Sequence, residues 1–161
     1  MRTVAGIDVL LAPFVEAGWP SRFSDGSFGV YYASQERETA IAETVFHRSR
    51  LLAQSAAPPA LIPVSAFTAA IAGELHDLRG LRAMFPMVYK KDDYSASQRL
   101  GADLHKSGSG GVAYDSVRRE GGHCFGVMRP TVLRSCRRVQ DLYYRWDGRA
   151  IVEVLLSQPT G

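Results

Sequence analysis

The sequence predicts an α+β fold, a mixed and mainly antiparallel sheet with flanking helices. Three observations carry this: a strand-like segment runs directly into a long helical pattern, a second helix follows several short apolar or aromatic runs, and strands dominate the second half. Regular alternation of strands and helices, the mark of a parallel sheet, is missing.

The elements follow in order. Phe28 to Ala33 is rich in aromatic and β-branched residues behind a turn flanked by Gly26 and Gly29, and reads as a buried strand. A helix is expected from about Gln35 to Ala53, with Ser34 as N-cap, Glu36 and Glu38 in the acid-favouring first turn, and Arg48 and Arg50 toward the far end. Ile41, Val45 and Leu52 form its apolar stripe, and Glu43 and His47, four apart, share a face. Ala56-Ala57-Pro58-Pro59 ends it. Leu61 to Phe67 and Glu74 to Leu78 read as two strands of antiparallel sheet. Cap chemistry at Asp92-Asp93-Tyr94-Ser95 opens a second helix, about Ala96 to His105, which the glycine-rich run 108–111 stops. Val112 to Tyr114, Cys124 to Met128, Leu142 to Trp146 and Ile151 to Leu156 complete the set as strands.

A chain of 161 residues is the size of one domain with a working core. Its 46% hydrophobic and 22% charged residues disfavour disorder, and no apolar run reaches the length of a membrane span. The start of the chain lacks a secretory pattern, which favours the cytoplasm. Cys124 and Cys136 have neither Cys-x-x-Cys nor Cys/His ligand spacing, so they read as free structural thiols and no metal site is expected. The net charge of +3 is mild, and no interleaved basic and aromatic motif marks a direct nucleic-acid reader.

Several residues are suited to chemistry. Arg22, in a polar loop, offers paired donors to phosphate, although a solvent-exposed arginine is the commoner use of such a position. Tyr31 and Tyr32 point to opposite sides of their strand, and Tyr32 is the candidate for a cleft. Glu43, flanked by Ala40, Ala42 and Val45, falls at the border of the buried side, where a carboxylate is costly unless it serves or is paired. Such a group can stabilise an oxocarbenium-like transition state; the bland reading is a surface glutamate paired with His47. Ser116 and Arg118, in Tyr114-Asp115-Ser116-Val117-Arg118-Arg119, suit a polar ligand at a strand end. A serine-hydrolase elbow and a phosphate loop are both absent from the sequence.

Together these segments resemble the RES-domain family, the toxins of RES/Xre toxin–antitoxin modules. The resemblance rests on Ser21-Arg22-Phe23-Ser24-Asp25-Gly26, Gly29-Val30-Tyr31-Tyr32-Ala33, Glu38-Thr39-Ala40-Ile41-Ala42-Glu43 and His47-Arg48. It continues through Gly73 to Arg79, Asp92 to Gln98, Tyr114 to Arg119, Gly121-Gly122 and Tyr144-Arg145-Trp146-Asp147-Gly148.

The resemblance implies a fold like that of diphtheria-toxin-type ADP-ribosyltransferases and an activity that depletes NAD by cleaving the nicotinamide–ribose bond, with water or phosphate as acceptor. NAD is then the substrate and no further cofactor is implied. By resemblance Arg22, Glu43 and Ser116 are catalytic: Arg22 binds the dinucleotide, Glu43 stabilises the ribosyl cation and Ser116 orients the nicotinamide or its ribose. Tyr32 packs on the nicotinamide end, and Arg118 joins Arg22, Tyr32 and Ser116 in binding. The implied partner is a Xre-like antitoxin covering the site, through which alone nucleic acid is met; a homodimer is compatible. Two alternatives stand beside this, ADP-ribosylation of a protein target and a decayed module that keeps only its antitoxin-binding surface. Family members of this kind usually carry more than 20 residues ahead of the Ser-Arg-Phe segment, so residues 1–20 are expected to be a shortened N-terminal segment before a RES domain at 21–161.

Overall fold

A computed structural model describes residues 2–11, as backbone, and 19–157. The strands are β1 (Arg2–Leu11), β2 (Tyr31–Ser34), β3 (Ala60–Asp77), β4 (Gly111–Asp115), β5 (His123–Val127), β6 (Leu133–Trp146) and β7 (Ile151–Leu156). The helices are α1 (Arg37–Gln54) and α2 (Ser95–Lys106), with a short 3-10 turn at Pro130–Val132.

The strands form one seven-stranded sheet in the order β1-β2-β5-β4-β3-β6-β7. Every pairing is antiparallel except β3 with β4, so the sheet is mixed and mainly antiparallel with flanking helices, as the element order predicts. β1 also pairs with β3, which closes β1, β2, β5, β4 and β3 into a ring of pairings. The sheet therefore crosses the boundary expected at residue 20.

Several boundaries differ from the sequence reading, each for a physical reason. The two strands expected at 61–67 and 74–78 are one strand, β3. Between them lies Thr68-Ala69-Ala70-Ile71-Ala72-Gly73, whose alanines and glycine have low strand propensity. That stretch is held by partners on both edges, β1 along Phe67–Leu75 and β6 along Ala60–Ile71. β6 likewise begins nine residues before the expected Leu142, because Arg134 to Arg138 are all exposed and carry no alternating pattern. β1 has no counterpart in the sequence reading; its register shift falls between Ala5 and Ile7, where Gly6 interrupts the run. Ser34 does not cap α1. It closes β2, and Glu36 takes the N-cap position, its carboxylate accepting from the Thr39 hydroxyl at 2.9 Å and the His123 N–H at 3.2 Å.

Three apolar clusters form the core, and two of them fix the helices on the sheet. Ile41 and Val45 of α1 pack on Val64, Ala66, Leu142 and Tyr144 of β3 and β6, which is the expected stripe meeting its partner. Leu100 and Leu104 of α2 pack with Phe23, Val30, Val112 and Met128. Ile71, Leu75, Ala113, Phe125 and Val127 fill the space between strands. Gly101 makes the α2 contact possible: a Cβ there would lie 1.8 Å from the Phe23 carbonyl oxygen.

Candidate active site

The segment Ser21–Ser24 is pinned from both sides. Ser97 of α2 donates its hydroxyl to the Arg22 carbonyl, and the Gln98 amide donates to the Ser21 carbonyl at 2.9 Å. From the sheet, the Tyr32 hydroxyl accepts the Phe23 N–H at 3.0 Å and lies 2.6 Å from the Ser21 hydroxyl. Burial pushes the Tyr32 phenol up to about 12, against the opposing hydrogen bonds to Ser21 and Phe23, so it stays protonated at neutral pH. Tyr31, on the opposite side of β2, is 43% exposed and does not enter the core.

Arg22 is 7% exposed, and its Nη1 donates to the carbonyls of Lys90 at 2.9 Å and Val88 at 3.3 Å. Its guanidinium stacks over the Tyr94 ring at 4.4 Å. A guanidinium carries five N–H donors, so capacity remains beyond Nη1 for an anion.

Glu43 sits where the helix border was expected, with its side chain 15% exposed. Its Oε1 accepts the Ser116 hydroxyl at 2.6 Å and lies 3.7 Å from the Cys124 thiol; Oε2 is 3.8 Å from Nε2 of His47. Burial, then the Glu43 charge, push the Cys124 thiol up, so it remains a protonated S–H donor. Burial likewise holds His47 below the ordinary histidine value, against the pull of Glu43 and together with the repulsion of Arg118, Arg22 and Arg50.

Ser116 is 2% exposed and fully used. Its oxygen accepts the N–H groups of Arg119 at 3.0 Å and Arg118 at 3.1 Å, which leaves its one proton for Glu43. The loop that sets this up is closed by Ser116 N–H to the Gly122 carbonyl at 2.9 Å and turns at Gly121, where φ is 77°.

A cleft of about 870 Å³ opens over these residues. Arg22, Tyr32 and Glu43 all line it, together with Tyr94, Tyr114 and Cys124. Among the described residues of its wall Glu43 is the one acid, against the guanidiniums of Arg22, Arg48 and Arg50, so these side chains favour an anionic ligand with one negative point inside the cleft. Ser116 and Arg118 are not on that wall. Ser116 stands behind Glu43, while the Arg118 guanidinium lies 3.3 Å over the Phe46 ring and donates to the Lys91 carbonyl at 2.6 Å, bracing α1 against the loop that carries Tyr94.

Sequence reasoning thus brought Arg22, Tyr32, Glu43 and Ser116 to one place but read Tyr94 as cap chemistry and Arg48 and Arg50 as helix-end cations. The helical period was the available signal for Arg50, since 43, 47, 50 and 54 recur on one face; Arg48 falls beside that face. Tyr94 had none, because its approach to Arg22 spans 72 positions of the chain. Among the described residues, no three His, Cys, Asp or Glu side chains are grouped as metal ligands, and no helix is long and apolar enough to cross a membrane.

The chain is 29% identical over 134 residues to the uncharacterized protein y4oC of Sinorhizobium fredii, a match covering 81% of this chain and 53% of that protein. It therefore spans about half the length of that curated relative. Its fold is similar to a chain in the crystal structure of the M. tuberculosis MbcT–MbcA toxin–antitoxin complex, with a TM-score of 0.58 and 13% identity over 84% of this chain and 86% of that one. The RES domain matches residues 3–147, across the boundary expected at residue 20 and over every site residue named above, and the chain belongs to the RES domain family.

Proposed function

We propose that this chain is the toxin of a toxin–antitoxin pair and acts in the cytoplasm by cleaving the bond between nicotinamide and ribose in NAD. The observation that carries the reading is the Glu43 carboxylate, fixed by Ser116 inside a cleft whose described wall also carries the guanidiniums of Arg22, Arg48 and Arg50 and the rings of Tyr32, Tyr94 and Tyr114. Family membership and the toxin–antitoxin setting of the similar fold support the toxin role.

The chemistry needs little more than this arrangement. As the glycosidic bond breaks, its electron pair leaves with nicotinamide, which becomes neutral, and positive charge grows on the ribose. A carboxylate beside that charge stabilises the transition state. Ser116 and Cys124 occupy Oε1, so Oε2 is the oxygen left to face the sugar. Water adds to the anomeric carbon with loss of a proton to give ADP-ribose, or phosphate adds to give ADP-ribose phosphate. Arg22 anchors the phosphates, and Tyr32 and Tyr94 supply flat apolar surface for the nicotinamide. The partner in this reading is a Xre-like antitoxin that covers the cleft.

The test is to incubate the purified protein with NAD, with and without phosphate, and follow free nicotinamide and the ribosyl product. Release is expected, and Glu43→Gln is expected to lower it about 100-fold or more. No release from a folded sample under either condition overturns the reading. Release accompanied by transfer of label to protein would instead identify an ADP-ribosyltransferase.

A further inference from the structure

Ser116 reaches Glu43 from a loop, residues 116–122, so the carboxylate is only as well placed as that loop is against α1. The loop closes on itself through Ser116 N–H to the Gly122 carbonyl at 2.9 Å and Gly122 N–H to the Arg119 carbonyl at 3.2 Å. Neither bond touches the helix. A single hydrogen bond from Ser116 to α1 leaves such a turn free to pivot, and Glu43 with it.

A second fastening lies one helical turn before Glu43. Thr39 stands four residues earlier on α1, ~6 Å along its axis, and is fully buried at 0% exposure. Its Oγ1 accepts Nη1 of Arg119 at 3.0 Å and donates to Oε2 of Glu36 at 2.9 Å, and that oxygen also accepts the His123 N–H at 3.2 Å. Arg119 thus holds both points: its backbone N–H donates to the Ser116 hydroxyl oxygen at 3.0 Å while its guanidinium reaches Thr39. Glu36 holds the chain where it leaves the loop at His123. The loop backbone is pressed on the same threonine, since a Cβ at Gly122 would lie 2.4 Å from Thr39 Oγ1 and 2.7 Å from its Cγ2. A buried hydroxyl is costly unless its bonds are made, and both bonds of Thr39 go to groups that frame the Ser116 loop.

We propose that Thr39 is a positioning residue for Glu43, fixing the Ser116 loop to α1 at a second point so that the Ser116 hydroxyl meets the carboxylate in one orientation. The assignment rests on the proposed cleavage of NAD and adds to it a side chain that is not on the cleft wall.

Thr39→Val keeps the branched shape and removes the hydroxyl. It is expected to lower kcat for nicotinamide release about tenfold, with KM for NAD within about twofold. Thr39→Ser restores the hydroxyl and should restore kcat. In a Ser116→Ala background Thr39→Val should change kcat by less than about twofold, because the group it positions is gone. Amide hydrogen exchange at Arg118 and Arg119, whose N–H groups rest on the Ser116 oxygen, reads the loop without chemistry and should be about tenfold faster in Thr39→Val than in the unaltered protein or Thr39→Ser. Arg119→Met breaks the same contact from the half-buried loop side and should shift kcat and exchange in the same direction, which keeps the test open where Thr39→Val does not fold.

A loss of kcat that is as large in the Ser116→Ala background, or that Thr39→Ser does not restore, overturns the assignment while sparing the cleavage reading. Unchanged exchange at Arg118 and Arg119 in both Thr39→Val and Arg119→Met overturns it as well. An unaltered protein that releases no nicotinamide removes the cleavage reading instead, and faster exchange in the two variants then still sustains Thr39 as the second fastening of the Ser116 loop.

Discussion

Ser116 shows how one hydroxyl can be fully committed. Its two acceptor positions hold the backbone N–H groups of Arg118 and Arg119, and its proton holds Glu43. It acts as a positioning residue. Ser116→Ala is expected to lower kcat for nicotinamide release roughly 10- to 100-fold while leaving KM for NAD nearly unchanged, because Glu43 loses its strongest donor. Steady-state kinetics check this, and an equal rise in KM would put the hydroxyl on the ligand instead. His47 gives the pH dependence. Its burial lowers it below 6.5, so the folded chain binds fewer protons there than the unfolded chain. Its contribution to stability is complete above the unfolded value and is lost as pH falls through 6.5 toward the folded one. Activity should follow the same sign, since protonated His47, 3.8 Å from Glu43 Oε2, offsets the charge the ribosyl cation needs. Nicotinamide release measured against pH should fall on the acid side, and His47→Gln should move that limb to lower pH. Glu43 was legible in the sequence because its apolar neighbours on α1 marked a carboxylate in an expensive place; the commitment of Ser116 was not, because 73 positions separate it from Glu43.

At the scale of elements, α2 sets the position of the Arg22 segment through Ser97, Gln98 and the glycine contact at Gly101. The colliding atom at Gly101 is a backbone carbonyl, which cannot swing aside as a side chain can. Gly101→Ala is therefore expected to push α2 off Phe23, costing about 1–3 kcal/mol and raising KM for NAD as Arg22 is displaced. Denaturant midpoints and kinetics on the same preparation test both. The existence of α2 was plain from its cap chemistry and glycine stop, and the structure moves its ends by one residue each, to Ser95–Lys106. What it packs against was not plain, since a lone glycine inside a helical pattern signals close approach without naming the neighbour.

At the scale of the molecule, α1 joins the cleft to the sheet. One face carries Glu43 and His47, and the other carries Ile41 and Val45 into the cluster with Leu142 and Tyr144. The Tyr144 hydroxyl, 2.6 Å from that of Thr44, is a buried polar link between α1 and β6. Tyr144→Phe keeps the ring in the core and removes only this bond; thermal or denaturant unfolding should show a loss of about 1 kcal/mol, with kcat for nicotinamide release unchanged. The fold class, both helices, three strands within a residue of their final bounds (β4, β5 and β7), and the interest of Arg22, Tyr32 and Glu43 were legible in the chain alone, because periodicity, caps and the burial of a charged group are local properties. The continuity of β3, the place of β1 in the sheet, the hold of Ser116 on Glu43 from behind the cleft, and the presence of Arg48, Arg50 and Trp19 on its wall appear first in the folded chain. Those depend on strand pairing and side-chain contact between distant positions, where the partner and not the local pattern supplies the energy.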